Sequence, residues 1–191
     1  MTAIVGLVHR RIVYIGGDSA GASGWSLTVR ADSKVFHNGD YLFGFTTSFR
    51  MGQLIRYSLK PPKPVGETDR FMATTFIDSV RDCLKAGGWA KKDSEREEGG
   101  TFLVGVRGRL FTVHEDYQVA EAADGYAAAG CGDDIALGAL FATAGSRMPP
   151  QQRVETALRA AERFSAGVRG PFICLSQPTA VERTTAEEPA P

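Results

Sequence analysis

Met1-Thr2-Ala3-Ile4-Val5-Gly6-Leu7-Val8-His9-Arg10-Arg11-Ile12-Val13-Tyr14-Ile15-Gly16-Gly17-Asp18-Ser19 is the stretch that decides the fold. Two apolar runs flank a polar turn around Val8 to Arg11, the pattern of a β-hairpin whose second strand ends at the glycine pair. A hairpin returns the end of its second strand to the start of its first, so Asp18 is expected beside Thr2. Thr2 stands directly behind the initiator methionine. Once Met1 is removed, it carries a hydroxyl and a free α-amine on one residue. That amine has a reference pKa of roughly 8, so a useful fraction is unprotonated near neutral pH. A threonine hydroxyl beside its own amine is an activated-nucleophile arrangement.

Lys34, in Ala31-Asp32-Ser33-Lys34-Val35, follows Asp18 at the same sixteen-residue interval that separates Asp18 from Thr2. An Asp–Lys pair suits such a site. The carboxylate keeps the lysine charged, and the ammonium favours deprotonation of the hydroxyl and lowers the amine's pKa. Taken singly, Asp18 also reads as a turn carboxylate and Lys34 as a solvated lysine, the usual positions of both types.

With these three residues and the Gly16-Gly17-Asp18-Ser19 landmark, the chain resembles the β-type subunits of proteasomes. It resembles the bacterial proteasome-like peptidase HslV more closely than those subunits, and the resemblance runs to about Gln177. It implies an α+β fold, the four-layer αββα sandwich of N-terminal-nucleophile (Ntn) hydrolases, over residues 1–177. It also implies that Thr2, Asp18 and Lys34 are catalytic.

Three further stretches extend the resemblance and depart from it. In Asp40-Tyr41-Leu42-Phe43-Gly44-Phe45-Thr46-Thr47-Ser48, a strand runs into polar residues before a helix. The family's oxyanion donor falls on the Thr47 amide, where the family often has glycine, and Phe45 falls on the substrate pocket. Phe45 reads equally as core packing. Whether a β-branched residue takes the backbone angles needed at 47 is open on the sequence. In Gly130-Cys131-Gly132, Cys131 replaces a serine that bonds the threonine amine, and a thiol is the weaker donor and acceptor. Cys131 as the nucleophile itself is the rival reading, but no histidine is placed in the sequence to activate it. Glu162 and Ser165 match an acidic residue and a serine that support the threonine. Glu162 also reads as a surface partner of Arg159 or Arg163, and Ser165 with Gly167 as a helix end.

Composition bounds the rest. A chain of 191 residues suits one domain, and 43% hydrophobic residues suffice for a sizeable core. Lys plus Arg and Asp plus Glu both number 22, so the net charge is zero. That leaves no electrostatic footprint for nucleic acid or an anionic membrane. No apolar run is long enough to span a membrane, and the start lacks a signal-peptide pattern. Cys83, Cys131 and Cys174 lack metal-ligand spacing. A cytoplasmic protein without disulfides, structural zinc or cofactor is expected.

Helices are expected over 49–59, 68–85 and 133–143, with a fourth from Pro149-Pro150. A second hairpin is expected around Arg107-Gly108. Short strands are expected over 117–119 and 125–129, a closing strand over 171–175, a solvated charged loop over 91–98 and a disordered tail over 178–191. The resemblance implies a threonine-type endopeptidase needing no metal or cofactor, with no propeptide before Thr2. It implies a homo-oligomeric ring enclosing the sites, peptide or unfolded-protein substrates and an ATP-dependent unfoldase partner. An Ntn amidase acting on a small amide, and a non-catalytic ring subunit, are the alternatives.

Overall fold

The computed structural model describes residues 2–24, 26–93 and 96–177. The tail expected over 178–191 lies outside the described residues.

The opening hairpin forms as its pattern predicts: β1 (Ile4–His9) pairs antiparallel with β2 (Ile12–Gly17), placing Ile4 opposite Gly17. β12 (Tyr126–Ala129) flanks β1, and β13 (Ile173–Gln177) flanks β2, giving a four-stranded sheet. A second, five-stranded sheet has the order β11 (Val119–Glu121), β10 (Arg109–Val113), β9 (Phe102–Val106), β6 (Tyr41–Phe45), β5 (Val35–Asn38). Two hairpins stand apart: β3 (Ala20–Ser23) with β4 (Ser26–Val29), and β7 (Lys91–Asp93) with β8 (Arg96–Glu98).

Strand alternation then sorts side chains into layers, because successive residues point to opposite faces. In β6, Tyr41, Phe43 and Phe45 join an aromatic-rich core with α1 (Phe49–Tyr57) and α3 (Ile77–Ala86), whereas Leu42 faces the other sheet. In β1, Ile4 faces that inter-sheet core, while Val5 and Leu7 pack toward α4 (Asp133–Ala142) and α5 (Pro150–Phe164). Three apolar interfaces separate four layers, helix, sheet, sheet, helix. This is the αββα sandwich. The sheets approach closely at Gly44, where a Cβ would lie 2.6 Å from Ile4 and Ile15. The aromatic core is tied by Tyr41 and Phe43 against Phe76, with centroids 5.1 and 6.3 Å apart.

Four local expectations are corrected. The helix expected over 68–85 is interrupted: α2 (Thr68–Phe71) leads into a π-helical turn, Met72–Phe76, before α3. Thr74 Oγ1 donates to the Arg70 carbonyl at 2.7 Å, a local bond that competes with the regular ladder. The charged stretch expected as a loop over 91–98 forms the β7–β8 hairpin instead. Glu97 there takes Arg81 at 3.0 Å and Lys85 at 3.2 Å, so charge pairing with α3 accompanies the strands. The short strand expected over 117–119 is shifted to Val119–Glu121. Tyr117 has φ 65° and its N–H donates to His114 O, because Glu115 and Asp116 make a turn first. The closing strand likewise begins later, at Ile173.

Candidate active site

Thr2 enters β1, Asp18 leaves β2, and Lys34 precedes β5, so three neighbouring strand ends converge. Register sets this meeting: with Ile4 opposite Gly17, Asp18 can only lie beside Thr2 and Ala3. Thr2 Oγ1 donates to Asp18 Oδ1 at 2.7 Å, and Lys34 Nζ donates to the same oxygen at 2.6 Å. Lys34 Nζ also donates to Thr2 Oγ1. All three residues are at most 3% exposed, so these contacts form out of water. Asp18 is held further by N–H donors from Ala3 at 3.1 Å, Ala20 at 2.9 Å and Arg169 at 3.2 Å. Burial pushes the Lys34 ammonium below its ordinary range, and the Asp18 carboxylate offsets only part of that effect.

The Thr2 nitrogen meets Cys131 Sγ at 3.2 Å, and that thiol lies 3.4 Å from Ser165 Oγ. Cys131 and Ser165 therefore form a chain leading to the Thr2 nitrogen, and no histidine is a hydrogen-bond partner of the thiol among the described residues. Gly130 makes the approach possible: with φ 108°, a Cβ there would lie 2.4 Å from the Thr2 carbonyl oxygen. Glu162 does not reach Thr2. Its Oε1 accepts from the Gly170 N–H at 2.9 Å, one residue beyond the Arg169 N–H that binds Asp18. Among the described residues no ion pair joins Glu162 to Arg159 or Arg163, and Arg159 bonds Glu155 at 2.7 Å.

Thr47 sits at φ 61°, the left-handed region that a β-branched residue rarely occupies. Its Oγ1 accepts from the Thr101 N–H at 3.1 Å, which holds the conformation. The Thr47 N–H meets no acceptor among the described residues, and Thr47 borders a cleft of about 290 Å³ together with Thr2, Lys34, Phe45 and Phe49. Phe45 is 4% exposed in the aromatic core and also lines this cleft. The sequence reading missed Gly21, Ala22, Thr28 and Arg30, which form the opposite wall from the β3–β4 hairpin and its exit. Its strands are four residues long, and the apolar Leu27 and Val29 of β4 are exposed, so their alternation marks no buried face.

The site is thus a buried hydroxyl joined to a carboxylate and an ammonium, at the start of the first strand of an αββα sandwich. The chain has the fold of proteasome-type subunits. It is similar in structure to BPH from Thiobacillus denitrificans in complex with epoxomicin, with a TM-score of 0.76 and 17% identity over 91% of this chain and 97% of that one. It is similar to HslV from Trypanosoma brucei, with a TM-score of 0.67 and 16% identity over 91% of this chain and 98% of that one. The Gly-1 mutant of Anbu from Hyphomicrobium sp. strain MC1 follows, with a TM-score of 0.64 and 14% identity over 91% and 80% of the two chains. No protein-family model and no curated protein matches the sequence. No helix among the described residues is long and apolar enough to cross a membrane.

Proposed function

We propose that this chain is a threonine-type endopeptidase of the proteasome and HslV kind. The observation that carries the reading is the buried Thr2 Oγ1, bonded at once to Asp18 and Lys34. With Met1 removed, the Thr2 hydroxyl gives its proton to its own amine and its oxygen attacks a peptide carbonyl. The Lys34 ammonium stabilises the developing alkoxide, and the Thr47 N–H receives the oxyanion. Collapse of the tetrahedral intermediate breaks the C–N bond, and the leaving amine takes the proton held by the Thr2 amine. Water, deprotonated by that amine, then hydrolyses the acyl-ester. Cys131 and Ser165 orient the amine, and Glu162 steadies the loop that binds Asp18. We place the protein in the cytoplasm as a homo-oligomeric ring that receives peptides or unfolded protein, with an ATP-dependent unfoldase as partner.

Intact-protein mass spectrometry tests this, with and without a threonine-reactive epoxyketone or β-lactone. Epoxomicin is the first choice, because the similar Thiobacillus protein forms a complex with it. The expected result is loss of Met1 and one probe mass on Thr2. Removal of Met1 without an adduct turns the reading toward a non-catalytic ring subunit.

A further inference from the structure

Two ionisable residues line the cleft that Thr2 borders, Arg30 and Lys34, and both are cationic. Lys34 is engaged by Asp18 and Thr2. Arg30 is placed differently. Its guanidinium carbon lies 3.7 Å from the centre of the Phe49 ring. Its Nε and Nη2 donate to the two oxygens of Asp32 at 2.7 and 2.6 Å. A guanidinium carries five N–H donors, so one edge of the fork is occupied. The remaining donors meet no other acceptor among the described residues. Stacking on an aromatic face and a bidentate anchor fix the plane of the group in advance, which lowers the ordering cost of a further bond. Asp32 itself does not line the cleft.

We propose that Arg30 is the specificity-determining residue of this site and selects an acidic side chain, Asp or Glu, on the substrate residue whose carbonyl is attacked. The proposal rests on the peptidase reading. The acyl half of the substrate is the half joined to Thr2 Oγ1, so it occupies the cleft that Thr2 itself lines. Phe45 and Phe49 line the same cleft and suit the methylene stem, and the unoccupied edge of Arg30 receives the carboxylate. Asp32 tempers the guanidinium's charge, so the selection is moderate.

The test uses the mature full chain and fluorogenic peptides that differ only at the residue before the scissile bond: Glu, Gln, Leu or Lys. Glu and Gln share a shape, so their ratio isolates the charge. The expected kcat/KM for Glu exceeds that for Gln by about tenfold, the worth of one partly solvated charge-assisted bond. In Arg30→Gln the Glu to Gln ratio falls to about one, and in Asp32→Asn, which frees the fork, it rises above the parent's. Hydrolysis of the Leu peptide with a parent Glu to Gln ratio near one overturns the proposal alone. So does a fall of all four peptides in parallel in Arg30→Gln. If Arg30→Gln does not fold, an unchanged ratio in Asp32→Asn overturns it. Failure of every peptide together with no probe adduct on Thr2 is instead the failure of the peptidase reading.

Discussion

Thr2 Oγ1 and Lys34 Nζ share one acceptor, Asp18 Oδ1, at 2.7 and 2.6 Å, and they are bonded to each other as well. The three groups form a closed triangle among residues at most 3% exposed. Removing the hydroxyl leaves the other two still paired. Thr2→Ala is therefore expected to lower peptide hydrolysis by about 10⁴-fold or more, while costing the fold only about 1 kcal/mol for the lost bond. Hydrolysis assays and urea titration read the two effects separately. Undiminished hydrolysis in purified Thr2→Ala would remove Thr2 from the chemistry.

The two charged partners are not equivalent in what they leave behind. Asp18 keeps N–H donors from Ala3, Ala20 and Arg169 when the lysine is absent. Among the described residues, Lys34 donates hydrogen bonds only to Asp18 and Thr2. Asp18→Asn leaves a buried ammonium without its counter-charge and is expected to cost about 3–5 kcal/mol. Lys34→Met should cost less, because the carboxylate retains its backbone cradle. Chemical denaturation of the two variants decides it, and equal losses, or the reverse order, would contradict the asymmetry.

The same burial sets a pH dependence. Lys34 is held below the ordinary lysine pKa of about 10.4 by desolvation. Between its lowered value and the ordinary one, the unfolded chain binds more protons at this residue, so its contribution to stability rises with pH there. Activity moves the opposite way, because the ammonium that stabilises the Thr2 alkoxide is lost over that interval. The alkaline limb of kcat/KM is expected to fall below about 10.4, while the denaturation midpoint relative to Lys34→Met increases. An alkaline limb at or above the ordinary lysine value would show that Lys34 titrates as a solvated group.

Cys131 separates orientation from proton transfer. Its thiol accepts the Thr2 nitrogen's hydrogen at 3.2 Å, a place where a hydroxyl would bond more strongly. Cys131→Ser is expected to raise the acylation rate a few-fold, and Cys131→Ala to lower it, with the probe mass still on Thr2 in both. A probe mass lost in Cys131→Ala but retained in Thr2→Ala would make the thiol the nucleophile.

Local pattern made the first hairpin legible, and register alone then carried Asp18 to Thr2. The helix-covered layers were also legible, because the helical intervals are long and the inward strand faces are apolar. The cleft's far wall was not. β4 is exposed along its whole length, so nothing in its composition distinguishes a substrate wall from a solvated loop. Arg30 shows its place only through Phe49 and Asp32, contacts that a linear reading does not pair. Glu162 lies in the last turn of α5, as its position before Ser165 and Gly167 suggests, but its carboxylate binds the Gly170 N–H and does not reach Thr2, a contact that spacing along a helix does not reveal. The 91–98 hairpin was hidden because densely charged runs normally stay solvated, and its acidic partner for α3 lies 16 residues from Arg81.

Thr47 offers a test of stored backbone strain. A β-branched residue at φ 61° costs about 1–3 kcal/mol. Glycine takes that conformation freely. The bond from Thr101 N–H to Thr47 Oγ1 is exposed, so water replaces it at little cost when the side chain is removed. Relief of strain should therefore exceed the lost bond, and Thr47→Gly is expected to stabilise the fold by up to about 1 kcal/mol. Thr47→Val keeps the branch and the strain but loses the acceptor, and should destabilise by about 1 kcal/mol. Urea titration of both variants against the parent is the measurement. A Thr47→Gly protein less stable than Thr47→Val would mean that the side chain, not the left-handed backbone, dominates at this position.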